Sequence, residues 1–448
     1  MKTENKKTNI PEGWTMRRLG DVAILSKLGW KPGNRDFKYI GLEHINKGDL
    51  TINSYGFSSK LESNKFYFKR NDVLFGKLRP YFRKVWKAKF DGVCSTDIWV
   101  IRSKEGNSQD FIFYFFANPE FINKSTRGSI GTKMPRADWS YLQNLEYNFP
   151  SLPEQQAIAD VLSSLDDKIE LLREQNKTLE AIAQAIYKRW FVDFEFPIEE
   201  GNTLNSPLVK EERQPKTDGM VFNTLQRKGY KSSGGKMIES ELGEIPEGWR
   251  VGTVNDVIER FYITYRCNQK DLSQNGKTPI LDQGSNGLYG YTERSPDFQA
   301  SIENPVIVFA NHTCYIWFIN YPFCAIQNVI PFRGNKEYSV FFVFYMTFGQ
   351  VKFIEYKGHW PDFEQKKYAI PKPKIANKFA EIIKSLQYSI WNNNAQIQTL
   401  SALRDSLLPK LMSGKIRVPT TPSCGHPTLK GGELEESGLI SEKDEGNK

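Results

Sequence analysis

From Ile158 onward, apolar positions recur at steps of four and three: Ile158, Leu162, Leu165, Ile169 and Leu172, then Asn176, Leu179, Ala183 and Ile186. That is the heptad spacing of a narrow helical seam. No Gly or Pro interrupts residues 154–196, and Pro153 sits where a first-turn proline is tolerated. At 1.5 Å per residue, the stripe from Ile158 to Ile186 predicts a helical stretch of about 42 Å. A second stripe keeps the same register: Phe379, Ile383, Leu386, Ile390, Asn393, Ile397, Leu400, Arg404 and Leu407. Two long, narrow stripes predict helices that pair with each other rather than two helices on separate local cores. Periodicity leaves their relative direction open. Asn176 and Asn393 put polar side chains on the seam, a device that fixes register at some cost in stability. Replacing Asn176 with Leu is therefore expected to raise thermal stability and loosen register.

The remaining pattern is mixed. Short β-rich runs (98–101, 305–309) alternate with Gly and Asn turns, and each half has one late helix-like apolar segment, 111–122 and 340–353. The expected class is α/β (α+β). The predicted order is a globular block over 1–150, a long helix over 151–196 and a polar connector over 197–244. A second globular block follows over 245–371, then a second long helix over 372–418 and a polar, disordered tail over 419–448.

Repetition ties these blocks together. Ile10–Val22 and Ile245–Val257 share seven of thirteen residues, including IPEGW, at an offset of 235. A later echo runs without gaps at an offset of 221: Pro150 with Pro371, Ala159 with Ala380, Ser164-Leu165 with Ser385-Leu386, and Ile169 with Ile390. The blocks between these landmarks hardly align. The scaffold reads as duplicated and the variable blocks as diverged.

Charge adds a direction. Lys+Arg exceed Asp+Glu by 61 to 52, which favours an anionic partner, nucleic acid foremost. Residues 69–89, KRNDVLFGKLRPYFRKVWKAK, concentrate the excess: eight basic residues stand against the single acid Asp72, with Phe75, Tyr81, Phe82 and Trp86 interleaved. Long cations suit phosphates, and Arg also reads guanine edges, so Lys77, Arg79, Arg83 and Lys84 are candidate DNA contacts. Replacing Arg79 and Arg83 together is expected to weaken binding to all DNA. The loop RGSIGTKMPRADW at 127–139 adds Arg127, Ser129, Thr132, Lys133 and Arg136 as a base- and backbone-reading loop. In the second block the candidates are Gln283 and Asn286, then Asn311 and His312, then Lys357, His359, Lys366 and Lys367. Asn and Gln can pair with adenine edges. No basic strand pair comparable to 69–89 is visible there.

Catalytic chemistry is hard to find. Pro361-Asp362 and Glu364-Gln365-Lys366 imitate a nuclease site, but the carboxylates are too close in sequence to arrive from separate strands. His312, Cys314 and Cys324 lack a fourth ligand, so no metal is expected. There is no Gly-Lys-Ser/Thr phosphate loop, no Asn/Asp-Pro-Pro-aromatic methylase motif, and only four histidines. Five scattered cysteines fit a reducing cytoplasm. The opening MKTENKKTN has no apolar core for a signal peptide, and the run 340–348 is too short to span a bilayer. The expectation is a cytoplasmic, non-catalytic protein.

IPEGW at the head of each half, DVLFGKLRPYFRKV at 72–85, CSTDIWVIR at 94–102, LPEQQAIADVLSSLDDKI at 152–169, SSGGKMIESELGEIPEGW at 232–249 and SLLPKLMSGKI at 406–416 closely resemble the specificity subunit of type I restriction-modification systems. The resemblance covers nearly the whole chain. It implies two target-recognition domains, each reading half of a split DNA target. It also implies an antiparallel coiled coil with a pseudo-twofold internal repeat, whose length sets the spacer. Two methyltransferase subunits are the implied docking partners, and motor-nuclease subunits complete the enzyme. S-adenosylmethionine, ATP and magnesium are implied for those partners alone, with no cofactor on this chain. A scaffold with two divergent protein-binding modules is the rival reading.

Overall fold

The computed structural model describes residues 10–33, 35–131, 133–198, 228–355 and 357–419. Packing divides them into two compact units. Unit 1 takes the chain up to Asp167 and resumes at Ser401; unit 2 is Lys168–Leu400. The expected helices are Leu152–Phe191 and Pro373–Met412, and each contributes to both units.

Unit 1 opens with strand Thr15–Arg18, which pairs antiparallel with Glu146–Phe149, Thr15 opposite Phe149. A four-stranded antiparallel sheet follows in the order Ala23–Ser26, Ile98–Ser103, Val73–Gly76, Val85–Lys87. A second, five-stranded sheet includes the parallel pair Lys38–Ile40 and Gly92–Cys94. The core gathers around Phe75, which stacks on Trp99 at 5.5 Å and meets Phe116 and Phe121 edge-on.

The expected single helix over 111–122 is two helices, Gln109–Ala117 and Pro119–Arg127. Pro119 has no amide hydrogen and pushes Asn118 out of the helical region, to φ −65, ψ 132. Asn118 then caps the second helix through its side chain, as Ser108 caps the first.

Unit 2 repeats this order with other residues. Arg250–Thr253 pairs antiparallel with Lys367–Ile370, Arg250 opposite Ile370. The four-stranded sheet runs Ile258–Arg260, Val329–Gly334, Val306–Ala310, Ile316–Ile319. A three-stranded sheet holds the parallel pair Thr278–Leu281 and Cys324–Ala325. The late apolar helix is shorter than expected, Val340–Thr347, and the chain turns at Gly349, whose φ of +68 suits a glycine. The connector also departs from expectation. Phe196 stacks on Tyr230 at 4.7 Å, and Met237–Ile238 forms a strand with Ile245–Pro246, so its last part is built into unit 2. Residues 199–227 of the connector and 420–448 of the tail lie outside the described residues.

The two tryptophans of the repeated pentapeptide are both buried, in different surroundings. Trp14 donates its indole N–H to Glu154 at 3.1 Å, and Arg417 holds the same carboxylate through two bonds of 2.6 and 3.0 Å. Trp249 instead lies in an aromatic box of Phe191, Phe194 and Phe196.

Helix-to-helix contacts run in opposite chain directions inside each unit. In unit 1, Asp166 meets Arg404 and Glu154 meets Arg417. In unit 2, Asn176 accepts from Asn393 at 2.9 Å and donates to Asn394 at 2.8 Å, while Trp190 meets Phe379. The seam residues Leu162, Ile169, Leu172, Ile383 and Ile390 are buried; Leu165, Leu179, Leu386, Ile397 and Leu400 are half-buried. No helix among the described residues is long and apolar enough to cross a membrane.

Candidate nucleic-acid interface

In unit 1 the basic stretch is a hairpin. Its strands are apolar inside: Phe75 and Trp86 are core residues, so these aromatics are not part of a DNA surface. Asp72 is equally structural, gripped by Arg102 through bonds of 2.7 and 2.8 Å. The tip is a short helical turn, Pro80–Phe82, flanked by Arg79 and Arg83 in left-handed conformation (φ 51 and 49). Backbone bonds join this tip to the Gly-rich loop. Arg79 N–H donates to the Pro135 carbonyl at 2.7 Å, and Ala137 N–H donates to that of Lys77 at 2.9 Å. The two candidate stretches of the first block therefore form one surface.

Their cations divide sharply. Arg83 is only 16% exposed and points inward, donating to the Ala117 carbonyl at 2.8 Å and to Asp405 at 3.1 Å. It anchors the hairpin, which corrects its expected role as a phosphate contact. Lys84 bonds the Leu42 carbonyl, and burial, with Lys47 nearby, lowers its pKa. Ser129 is spent on the Ser125 carbonyl, and Arg136 forms an exposed ion pair with Asp97 at 3.2 Å. Arg127 and Lys133 are exposed and carry no ion pair among the described residues, and Thr132 lies outside those residues. Lys77 and Arg136 line a groove of about 780 Å³ that also includes Lys27 and Trp139. Tyr81, 49% exposed, crowns the tip.

Unit 2 builds the same junction from neutral groups. The hairpin Val306–Ile319 carries Asn311–Thr313 at its turn, where the first hairpin carries its cations. The Asn311 carbonyl accepts from His359 N–H at 2.8 Å, and its side chain accepts from Trp360 N–H at 2.7 Å. His312 N–H donates to the Gln283 side chain at 2.8 Å, and the His312 ring meets the Lys357 carbonyl at 2.8 Å. All three candidate stretches of the second block therefore converge, which the sequence alone could not reveal.

Most of those candidates are builders rather than readers. Gln283 and Asn311 are consumed in fixing turns. His359 is 1% exposed, against the Glu355 carbonyl and Asp362, so it cannot meet DNA as expected. Lys366 is half-buried on the Gln350 carbonyl, and burial lowers its pKa. Lys357 pairs with Asp362 and Glu355, and Lys367 with Glu241. Asn286 remains exposed. Tyr315, 45% exposed, lies beside the same turn, as Tyr81 lies at the tip of the first hairpin.

Behind each hairpin a tyrosine of the apolar helix reaches the long helices. In unit 1, Tyr114 donates to Asp166 at 2.7 Å, and Asp166 accepts from Arg404 at 2.7 Å. Burial opposes the charge of Arg404, but Asp166 and Asp405 outweigh it and raise its pKa. In unit 2, Tyr345 sits 3.1 Å from Glu180 and 3.3 Å from Gln387, and no arginine takes part.

Residues 11–181 match the family model described as the type I restriction modification DNA specificity domain. The MjaIX specificity subunit of Methanocaldococcus jannaschii is 26% identical, over 93% of this chain and 97% of its own length. Over its first part the chain is similar to type I specificity domains, and over nearly its whole length to curated type I specificity subunits. A second relative, the HindI specificity subunit of Haemophilus influenzae, is 23% identical over 90% of this chain and 99% of its own. Among solved structures, a type I S subunit from M. genitalium aligns over 92% of this chain and 98% of that one, at 17% identity and a TM-score of 0.48. The chain spans nearly the full length of both of these relatives.

Proposed function

We propose that this chain is a type I specificity subunit that reads a bipartite DNA target, one half through each unit, by means of the hairpin tip and the loop bonded to it. The observation that carries this reading is that two units whose four-stranded sheets share one strand order present chemically different hairpin tips at the same place in that sheet. Phosphate contacts by Arg127, Lys133 and Lys77 supply affinity in unit 1. Asn286 and the tyrosines Tyr81 and Tyr315 offer base-edge and stacking contacts.

In this reading the two units are the target-recognition domains of an internal repeat, and the long helices pair as an antiparallel coiled coil that sets the spacer. The opposed contacts Asp166–Arg404 and Asn176–Asn393 support it. The helices dock two methyltransferase subunits, and restriction subunits complete the assembly in the cytoplasm. S-adenosylmethionine, ATP and magnesium belong to those partners, and this chain contributes recognition rather than catalysis. Methylome sequencing with and without the gene tests the reading. Loss of one bipartite methylated motif on deletion is expected; an unchanged methylome favours a protein-binding scaffold.

A further inference from the structure

Three segments of unit 2 bring Cys267, Asp297 and Cys324 together, with their ligand atoms all within 4.8 Å of one another. The arrangement is held by backbone bonds on both sides. Cys267 N–H donates to the Ala325 carbonyl at 3.1 Å, and Phe298 and Phe323 exchange bonds of 3.1 and 3.0 Å. Cys324 itself lies on the strand that runs parallel to Thr278–Leu281. Both thiols are buried beside Ile280 and Ile326, in a small cluster separate from the main core. One carboxylate oxygen of Asp297, Oδ2, is buried there without a hydrogen-bond partner. Beside two thiols, a buried carboxylate oxygen is satisfied either by an S–H donor or by a cation that replaces the thiol protons.

We propose that Cys267, Asp297 and Cys324 form a binding site for a zinc-class divalent ion. Two thiolates and one carboxylate suit zinc, whereas magnesium and calcium prefer all-oxygen shells. Tetrahedral bonds of about 2.3 Å to sulfur and 2.1 Å to oxygen put ligands about 3.6 Å apart, so the present spacing needs only a modest contraction. Binding displaces one proton from each thiol, and the carboxylate enters ionised. The Ser295 carbonyl, 3.5 Å from the Cys324 sulfur, offers an oxygen for the fourth position. The ion would fasten the loops carrying Cys267 and Asp297 to the strand carrying Cys324. His312 and Cys314, set aside on sequence as ligands together with Cys324, are not in this cluster.

The test uses the full-length, tag-free chain, purified under reducing conditions and reconstituted with zinc or cobalt(II). Wild type and Cys314→Ser are expected to retain about one zinc per chain, and the cobalt form to show thiolate-to-metal absorption. Cys324→Ser and Asp297→Ala should each weaken zinc binding at least about tenfold. If a variant is insoluble, the wild-type cobalt spectrum decides. No thiolate band in wild type, retention of zinc by both variants, or a Cys267–Cys324 disulfide in its place would overturn the proposal.

Discussion

The two units solve one architectural problem with opposite chemistry. Each ties its apolar helix to the long helices, through Tyr114 in unit 1 and Tyr345 in unit 2. Unit 1 uses charge: Tyr114, Asp166, Arg404, Asp405 and Arg83 form a continuous network from the helices to the hairpin tip. Unit 2 uses Gln387, which lies 221 residues after Asp166, with Glu180. The difference teaches that the frame tolerates an exchange of carboxylate for amide, provided the tyrosine hydroxyl keeps an acceptor.

The largest effects should come from breaking the charged network. Arg404 is 2% exposed, and Arg404→Ala strands Asp166 beside a buried helix, at a cost of about 3 kcal/mol. Gln387→Ala should cost only about 1 kcal/mol. Denaturant unfolding of both variants checks this, and equal losses would remove the distinction between the two locks.

The next effect lies on the seam. Asn176 bonds both Asn393 and Asn394, so Leu at 176 alone leaves the half-buried Asn393 without this acceptor and is expected to gain less stability than the isolated pattern predicts. Asn176→Leu with Asn393→Leu should raise stability by about 1 kcal/mol and loosen register. A melting temperature lower in the double variant than in either single one would count against a specificity role for this pair.

A smaller effect separates anchoring from contacting cations. Arg127→Ala with Lys133→Ala should make the salt dependence of duplex binding shallower by roughly two in log–log slope. Arg83→Ala should leave that slope nearly unchanged while lowering the stability of unit 1, because its guanidinium is already spent on Asp405 and Ala117. A slope change on Arg83→Ala equal to that of the loop pair would restore Arg83 as a phosphate contact.

The frame was legible for a physical reason. The offsets 235 and 221 reappear in strand pairing, since Thr15 opposite Phe149 becomes Arg250 opposite Ile370. Strand register and seam spacing constrain sequence at every turn, so the likeness of the two halves is readable there. The variable blocks share topology without shared letters, because Val73–Gly76 and Val306–Ala310 need only be apolar and extended. The second hairpin was therefore invisible when sought as a basic strand pair. Site residues were hardest to place. A turn Asn or Gln serves backbone groups as readily as a ligand, and burial alone separates His359 from an exposed contact. Arg83 and Lys133 look equally cationic in sequence, yet one faces Asp405 and the other faces solvent.

The modular claim is tested most directly by methylome sequencing of cells carrying two altered subunits. One has Arg127→Ala with Lys133→Ala, and the other has Asn286→Ala with Tyr315→Ala. Each is expected to relax or change the methylated motif in one half only, a different half for each. A change in both halves from either variant would contradict the account.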